Sequence, residues 1–227
     1  MKKYKHIIWD WNGTLFDDID LCVENMNYFL SKYNYPKISI EKYREIFTFP
    51  VKRYYENLGM DFKKFSFEEI GKEWMDRYEV KKFQAKLFND AEWALQYFSK
   101  NGLEQSVLSA YSQKNLEEIL EYFNIKGYFK YILGLNDIYA HSKIELGEQL
   151  IQKIWHKENE ILLIGDTLHD YEVANELKID CVLVTTGHQS EERLMQSKVP
   201  IFNSLKELVF SIFDESNNKA SNEGQIR

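Results

Sequence analysis

The sequence predicts a doubly wound, parallel α/β sheet with a small α-helical domain inserted after its first strand. Three observations carry that expectation. Ile7-Ile8-Trp9 is an apolar run that ends on Asp10 and passes at once into Asn12-Gly13-Thr14, a buried strand stopped by a tight turn. From Ile19 to Tyr78 apolar residues recur at helical spacing, and no strand signal interrupts them. From Asp90 onward helices alternate with short, continuously apolar strands, the pattern of a parallel sheet covered on both faces.

The bulk numbers agree with one globular core plus a smaller module. The chain has 227 residues, of which 44% are hydrophobic, 15% aromatic and 29% charged, enough to bury a sizeable core. A net charge of −7 argues against a nucleic-acid or anionic-membrane partner. Cys22 and Cys181 lie far apart and read as buried structural thiols in a reducing compartment. No signal peptide or membrane span is visible, so a cytoplasmic protein, monomeric or homodimeric, is expected.

In order, residues 4–9 read as the first strand. Ile19, Cys22, Met26, Phe29, Leu30 and Tyr33 give a first helix, stopped by Pro36. Ser39 opens a second, the stretch after Pro50 a third that Gly59 ends, and Ser66 with Glu69 forms a capping-box pattern for a fourth. Between Glu41 and Lys86 there are 11 Lys and Arg against 9 Asp and Glu, so this insertion is slightly basic within an acidic chain. Arg44, Lys52 and Arg53 flank Phe47-Thr48-Phe49-Pro50 on a helix connection, where side chains are placed to meet a ligand. Asp90 begins a helix that ends near Gly102, Ser106–Ser109 is a strand, and Ser112 to Phe123 a helix. A strand at 131–133 precedes a helix that Ser142 would cap. The strand 161–164 ends at Gly165-Asp166, a helix follows from about Asp170 to Leu177, and 181–184 is another strand. Ser190 starts a short helix, Ile201-Phe202 reads as an edge strand, and Ser204 caps the last helix. These readings divide the chain into a core of 1–17 with 84–213, a helical cap of 18–83, and a polar tail of 214–227 expected to be disordered.

In parallel sheets ligands bind beyond the carboxyl ends of the strands. The residues falling there are Asp10, then Ser109 with Ala110, then Asp166 with Asp170 four positions on, while Lys143 starts the helix after an intervening strand. Singly they are unremarkable: a strand-end hydroxyl, a solvated lysine, an acid capping a helix. Together they supply a nucleophile, a hydroxyl, an ammonium and an acid pair, which suits phosphoryl transfer assisted by Mg²⁺.

The chain resembles the haloacid dehalogenase superfamily, in its phosphoglycolate phosphatase-like branch with an α-helical cap. The resemblance rests on Asp10-Trp11-Asn12-Gly13-Thr14-Leu15, Ser109, Lys143 and Gly165-Asp166-Thr167-Leu168-His169-Asp170, and spans residues 4 to about 210. It implies a Rossmann-like core and a phosphatase in which Asp10 forms an aspartyl-phosphate. It implies that Asp10, the backbone carbonyl of Asn12 and Asp166 hold Mg²⁺, with Asp170 in support. Ser109 and Lys143 would bind the phosphate, beside Gly13, Thr14 and Ala110. The substrate implied is a small phosphorylated metabolite, with the cap as a lid.

One position departs from that pattern. Phosphatases of this family usually carry a second Asp two residues after the nucleophile, as general acid and base; here it is Asn12. Losing such help costs roughly 10²- to 10⁴-fold. Three explanations follow: a slow phosphatase, recruitment of another acid from Asp17, Asp18 or His169, or a substrate whose leaving group needs no proton, such as an acyl phosphate or anhydride. For Asp17 and Asp18 the competing role is capping the first cap helix. A phosphate-binding or regulatory protein with attenuated turnover is the alternative from another class. A receiver-type signalling domain is far shorter, and a true dehalogenase needs no metal acids.

Overall fold

The apolar runs become strands because neither of their faces meets water. The computed structural model describes residues 3–64, 66–135 and 143–213. Its strands are β1 (His6–Trp9), β2 (Phe16–Asp17), β3 (Lys86–Leu87), β4 (Glu104–Ser112), β5 (Tyr131–Leu135), β6 (Ile161–Gly165), β7 (Asp180–Val184) and β8 (Ile201–Phe202). Six of them form one sheet in the order β5-β4-β1-β6-β7-β8. Every neighbouring pair in it is parallel. The chain lays β4 and β5 to one side of β1, then returns to place β6, β7 and β8 on the other. That reversal sets a binding crevice beside the carboxyl end of β1.

Helices cover both faces, and successive strand residues divide between them. Ile7, Trp9, Leu162 and Ile164 join one buried cluster with Phe98 of α5 (Ala91–Lys100) and Leu208 of the last helix. Ile8, Leu163, Cys181 and Leu183 join the other, with Leu150 and Val173 from the helices after β5 and β6. The period-2 alternation of a strand therefore feeds two cores at once. Both cysteines are free and buried.

The insertion is helical, as expected: α1 (Ile19–Lys32), α2 (Ile40–Ile46), α3 (Val51–Asn57) and α4 (Phe67–Lys81). Its two ends are joined by a feature the sequence reading lacks. β2 and β3 pair antiparallel, Phe16 with Leu87 and Asp17 with Lys86, so the chain leaves and re-enters the core through one short ribbon. Two residues per strand are too few to show a period.

The helix boundaries follow local chemistry, with some corrections. Asn34, at φ 60°, ends α1 ahead of Pro36, and the Tyr35 amide returns to the Leu30 carbonyl at 2.7 Å. Ser39 accepts from the Lys42 amide at 3.2 Å. Ser66 accepts from the Glu69 amide at 3.2 Å, the first half of a capping box, and donates its hydroxyl to Glu68. Asp18 and Asp90 stand at N-cap positions without a side-chain cap bond. β4 runs longer than 106–109 and shifts register between Leu108 and Ser112, just where Ser109 lies. The remaining helices are α6 (Gln113–Tyr122), α7 (Lys143–Lys153), α8 (Leu168–Glu176), α9 (Glu191–Leu194) and α10 (Leu205–Ile212). The expected Ser142 cap and the expected disordered tail lie outside the described residues. No helix among the described residues is long and apolar enough to cross a membrane.

Phe98 is fully buried between Trp9 and Phe213, with ring centroids 5.6 and 4.9 Å away. Phe98→Ala should cost about 3–5 kcal/mol of unfolding free energy, read as a lowered urea midpoint at unchanged m-value.

Candidate active site

The carboxyl end of β1 carries the site because the turn after it is wound tightly. The Asp10 amide donates to the Ile164 carbonyl at 2.9 Å, prolonging the β1–β6 ladder by one bond. The Leu15 and Phe16 amides then both donate to the Trp11 carbonyl at 3.0 Å, which folds residues 11–16 back on themselves. Gly13 sits at φ +78°, and a Cβ there would lie 2.3 Å from Asp166 Oδ2 and 2.6 Å from His188 Cδ2. Only glycine fits both the backbone and the space.

Five expected residues converge. Lys143, the first residue of α7, places Nζ 2.5 Å from Asp10 Oδ1 and 2.5 Å from Asp170 Oδ1. The other Asp170 oxygen accepts from the Asp166 amide at 3.2 Å, the Thr167 amide at 3.0 Å and the Thr167 hydroxyl at 2.7 Å. Asp170 is thus both the capping-box acid of α8 and the anchor of Lys143. The Thr14 hydroxyl lies 3.1 Å from Asp166 Oδ1 and 3.4 Å from Asp10 Oδ2, between the two. Asp166 Oδ2 accepts the His188 amide at 2.6 Å. All five side chains are buried.

Burial sets the electrostatics. It raises the Asp10 carboxyl well above the ordinary range; Lys143 opposes this, and Asp170 and Asp166 add to it. Burial pushes Asp166 up to about 6. Burial would raise Asp170 too, but Lys143 draws it below the usual value. Burial works against the charge of Lys143, yet Asp10 and Asp170 hold it above an ordinary lysine. Three carboxylates face one ammonium. Asp10, Asp166 and Asp170 each present an oxygen within 4.8 Å of the others, an all-oxygen set of the kind hard divalent cations prefer. Burial, and to a smaller degree the neighbouring carboxylates, raise Asp10 and Asp166, and a divalent cation would offset both, so these residues fit one.

Asn12 is turned elsewhere. Its Nδ2 donates to Asp18 Oδ2 at 2.8 Å and to the Tyr78 hydroxyl at 2.9 Å, and Tyr78 itself donates to Asp18 Oδ2 at 2.7 Å. The other Asp18 oxygen lies 3.3 Å from His188 Nε2, and His188 Nδ1 lies 2.8 Å from the Tyr43 hydroxyl. Burial raises and His188 lowers the Asp18 carboxyl, with a net decrease. Burial lowers His188, but Asp18 lifts it to about 9. Asp18 is therefore the anion of a buried ion pair and not a helix cap. Tyr43, Tyr78 and His188 were missed from sequence. His188 alone had a readable signal, since it follows Gly187 in the loop beyond β7.

The remaining candidates make no side-chain bond to the five residues that converge. Asp17 lies in the β2–β3 ribbon, opposite Lys86. His169 lies 3.3 Å from Glu172 and against the Phe49 ring, centroids 4.8 Å apart. Ser109 is buried, with its hydroxyl accepting the Tyr111 amide at 3.0 Å, and Ala110 is exposed. Arg44 donates to the Thr186 carbonyl at 2.9 Å and lines a groove of about 430 Å³ with Asp17, Asp20 and Thr185. Lys52 lies over the Phe62 and Phe67 rings beside a different cleft, of about 370 Å³, and Arg53 is exposed. The three cationic residues of the insertion do not form one site.

Sheet order, turn and buried acid set together define a class. The pattern of the haloacid dehalogenase-like hydrolases matches residues 7–184, and the chain belongs to that family. A relative bearing the name pyrophosphatase PpaX, from Caldanaerobacter subterraneus subsp. tengcongensis, is 22% identical over 205 residues, covering 88% of this chain and 90% of its own. A haloacid dehalogenase-like hydrolase from Streptococcus pneumoniae superposes with a TM-score of 0.80 at 19% identity, over 93% of this chain and 99% of that one. A predicted phosphatase from Clostridium acetobutylicum gives 0.76 at 23% identity, over the same 93% and 99%.

Gly13→Ala should strain the turn by roughly 1–2 kcal/mol and drive Asp166 out of place. Its expected signature is loss of turnover with unchanged far-UV circular dichroism.

Proposed function

We propose that this hydrolase cleaves phosphoric monoesters of small metabolites, with Asp10 attacking phosphorus and carrying the phosphoryl group as an aspartyl-phosphate. The observation that carries the reading is the buried set of Asp10, Asp166 and Asp170 around Lys143. Asp10 would form the new P–O bond while the P–O bond to the leaving group breaks; water would then attack the aspartyl-phosphate and return the carboxylate. Lys143 would neutralise phosphate charge, held in place by Asp170. Thr14 would keep the Asp10 and Asp166 carboxylates apart and oriented.

Mg²⁺ fits the oxygen donors, with Asp10, Asp166 and the Asn12 main-chain carbonyl as its ligands and Asp170 in support. Once bound it supplies charge neutralisation at the phosphate oxygens. Ser109 and the Gly13–Thr14 turn would line the phosphate pocket. The helices between β2 and β3 would act as the cap, with substrate preference set where they meet the core.

Asn12 favours a second reading within this chemistry. Its amide is committed to Asp18 and Tyr78 and has no proton to give an alkoxide. Acyl phosphates and anhydrides leave without one, and the reaction named for the pyrophosphatase relative is of that kind. A panel of an alkyl phosphate, an acyl phosphate and pyrophosphate separates these readings. With Mg²⁺ present, phosphate release should be seen from at least one member and be lost in Asp10→Asn. Equal release by wild type and variant sinks the assignment of Asp10. Binding of the panel without release by either protein marks a phosphate-binding role instead.

Restoring an acid at residue 12 needs a partner change. Asn12→Asp alone would set a half-buried carboxylate 2.8 Å from the buried Asp18 carboxylate, and should lower the urea midpoint. The exchange Asn12→Asp with Asp18→Asn keeps the hydrogen bond and reverses its donor and acceptor. The pair removes the like-charge contact but takes the charge of Asp18 away from His188, so stability in urea melts should return only in part, while alkyl-phosphate turnover should rise by roughly 10²- to 10⁴-fold. A double variant no faster than wild type would show that residue 12 does not limit the rate.

A further inference from the structure

A second cluster of metal-ligating side chains lies at the opposite, amino-terminal edge of the sheet. His6 opens β1, Glu104 opens β4, and the two are register partners in the parallel ladder. His156 lies in the connection between α7 and β6. His6 Nδ1 and His156 Nε2 both approach the same oxygen, Glu104 Oε2, each at 3.3 Å. The three ligand atoms lie within 4.8 Å of one another.

That spacing matches a metal better than it matches hydrogen bonds. Two ligands at 2.0–2.1 Å from a tetrahedral zinc ion stand about 3.3 Å apart. An N–H···O bond prefers about 2.9–3.0 Å. His6 is also arranged as a ligating histidine is. It is fully buried, and Nε2 lies 2.8 Å from the Ser106 hydroxyl, which fixes the ring from the far side. Lys130 holds the other Glu104 oxygen at 2.5 Å, which leaves Oε2 turned toward the two histidines. His156 and Glu104 are partly exposed, with side-chain exposures of 24% and 35%, which leaves a way in and room for a water.

We propose that His6, Glu104 and His156 form a second metal site, selective for zinc-type cations through two imidazoles and one carboxylate, with solvent in the fourth position. His6 and Asp10 stand at opposite ends of β1, about 13 Å apart. An ion here would not touch the phosphate. Its role is to tie β1, β4 and the α7–β6 connection together at the edge away from catalysis. Lys130, exposed and bound to the same carboxylate, competes with it.

Titrating Co²⁺ into the full chain in saturating Mg²⁺, followed by visible absorption and by calorimetry with Zn²⁺, tests the site. One equivalent should bind, giving a four- or five-coordinate cobalt spectrum without a thiolate charge-transfer band, and should raise Tm. His156→Ala, a change at a partly exposed position, should weaken binding at least about tenfold. Lys130→Met should tighten it, and Asp10→Asn should leave it unchanged. Four results would overturn the proposal: no stoichiometric binding above Mg²⁺, a spectrum unaltered in His156→Ala, a spectrum lost in Asp10→Asn, or a thiolate band. The last would place the ion on Asp18, Cys22 and His188 instead, the described residues' other mixed cluster.

Discussion

The position of Lys143 between Asp10 and Asp170 is the constraint from which the site follows. An ammonium in a dry interior is tolerable only where carboxylates surround it, and a carboxylate there only where a cation faces it. Asp170 meets that condition fully: Lys143 takes one oxygen, and the start of α8 takes the other. Asp10 shares the same lysine, and Asp166 has none. The unequal division explains why Asp170 stays ionised while burial drives Asp10 and Asp166 toward their neutral forms. Asp170 is matched on both oxygens, whereas Asp10 shares its lysine and Asp166 has only the Thr14 hydroxyl, the His188 amide and the nearby His188 charge.

That arrangement depends on the sheet, and the sheet was largely legible. Ile7–Trp9, Ile161–Ile164 and Cys181–Val184 are continuous apolar runs, so they announce buried parallel strands, and Asp10 and Asp166 beyond the first two announce the crevice. Lys143 was readable only as part of that set. The β2–β3 ribbon escaped because two residues per strand carry no period. Ser66 and Glu69 have the letters of a capping box and make its first half, the Glu69 amide on the serine oxygen. Arg44, Lys52 and Arg53 are close in sequence, yet helix geometry sends them to different surfaces. The misses share a cause: each depended on long-range packing that local spacing does not encode.

The same limit hid the contacts between insertion and core. Residues 186–193, beyond β7, bind the second helix of the insertion at several points. Arg44 donates to the Thr186 carbonyl and its own carbonyl accepts the Ser190 amide. Gln189 donates to the Phe47 carbonyl at 3.0 Å, and Tyr43 meets His188. His188 then reaches the catalytic edge twice, through its amide to Asp166 and through its ring to Asp18. One short loop thus touches the insertion, a metal-ligand candidate and the neighbour of Asn12. A continuous path of hydrogen bonds thus joins the insertion to the acid set.

Asn12 takes its meaning from this loop. Read alone, an amide in place of a carboxylate is a missing acid. In the fold it is the donor that completes Asp18, whose charge is already matched to His188, with Tyr78 closing the ring of bonds. A carboxylate at residue 12 would bring a second negative charge to a site whose cation is spent. Position 12 and position 18 therefore hold one negative charge between them, and the chain has placed it at 18, on the side of the insertion. That charge sits in the contact that joins the helices to the sheet, so the surroundings of residue 12 and the seating of the insertion are a single electrostatic problem.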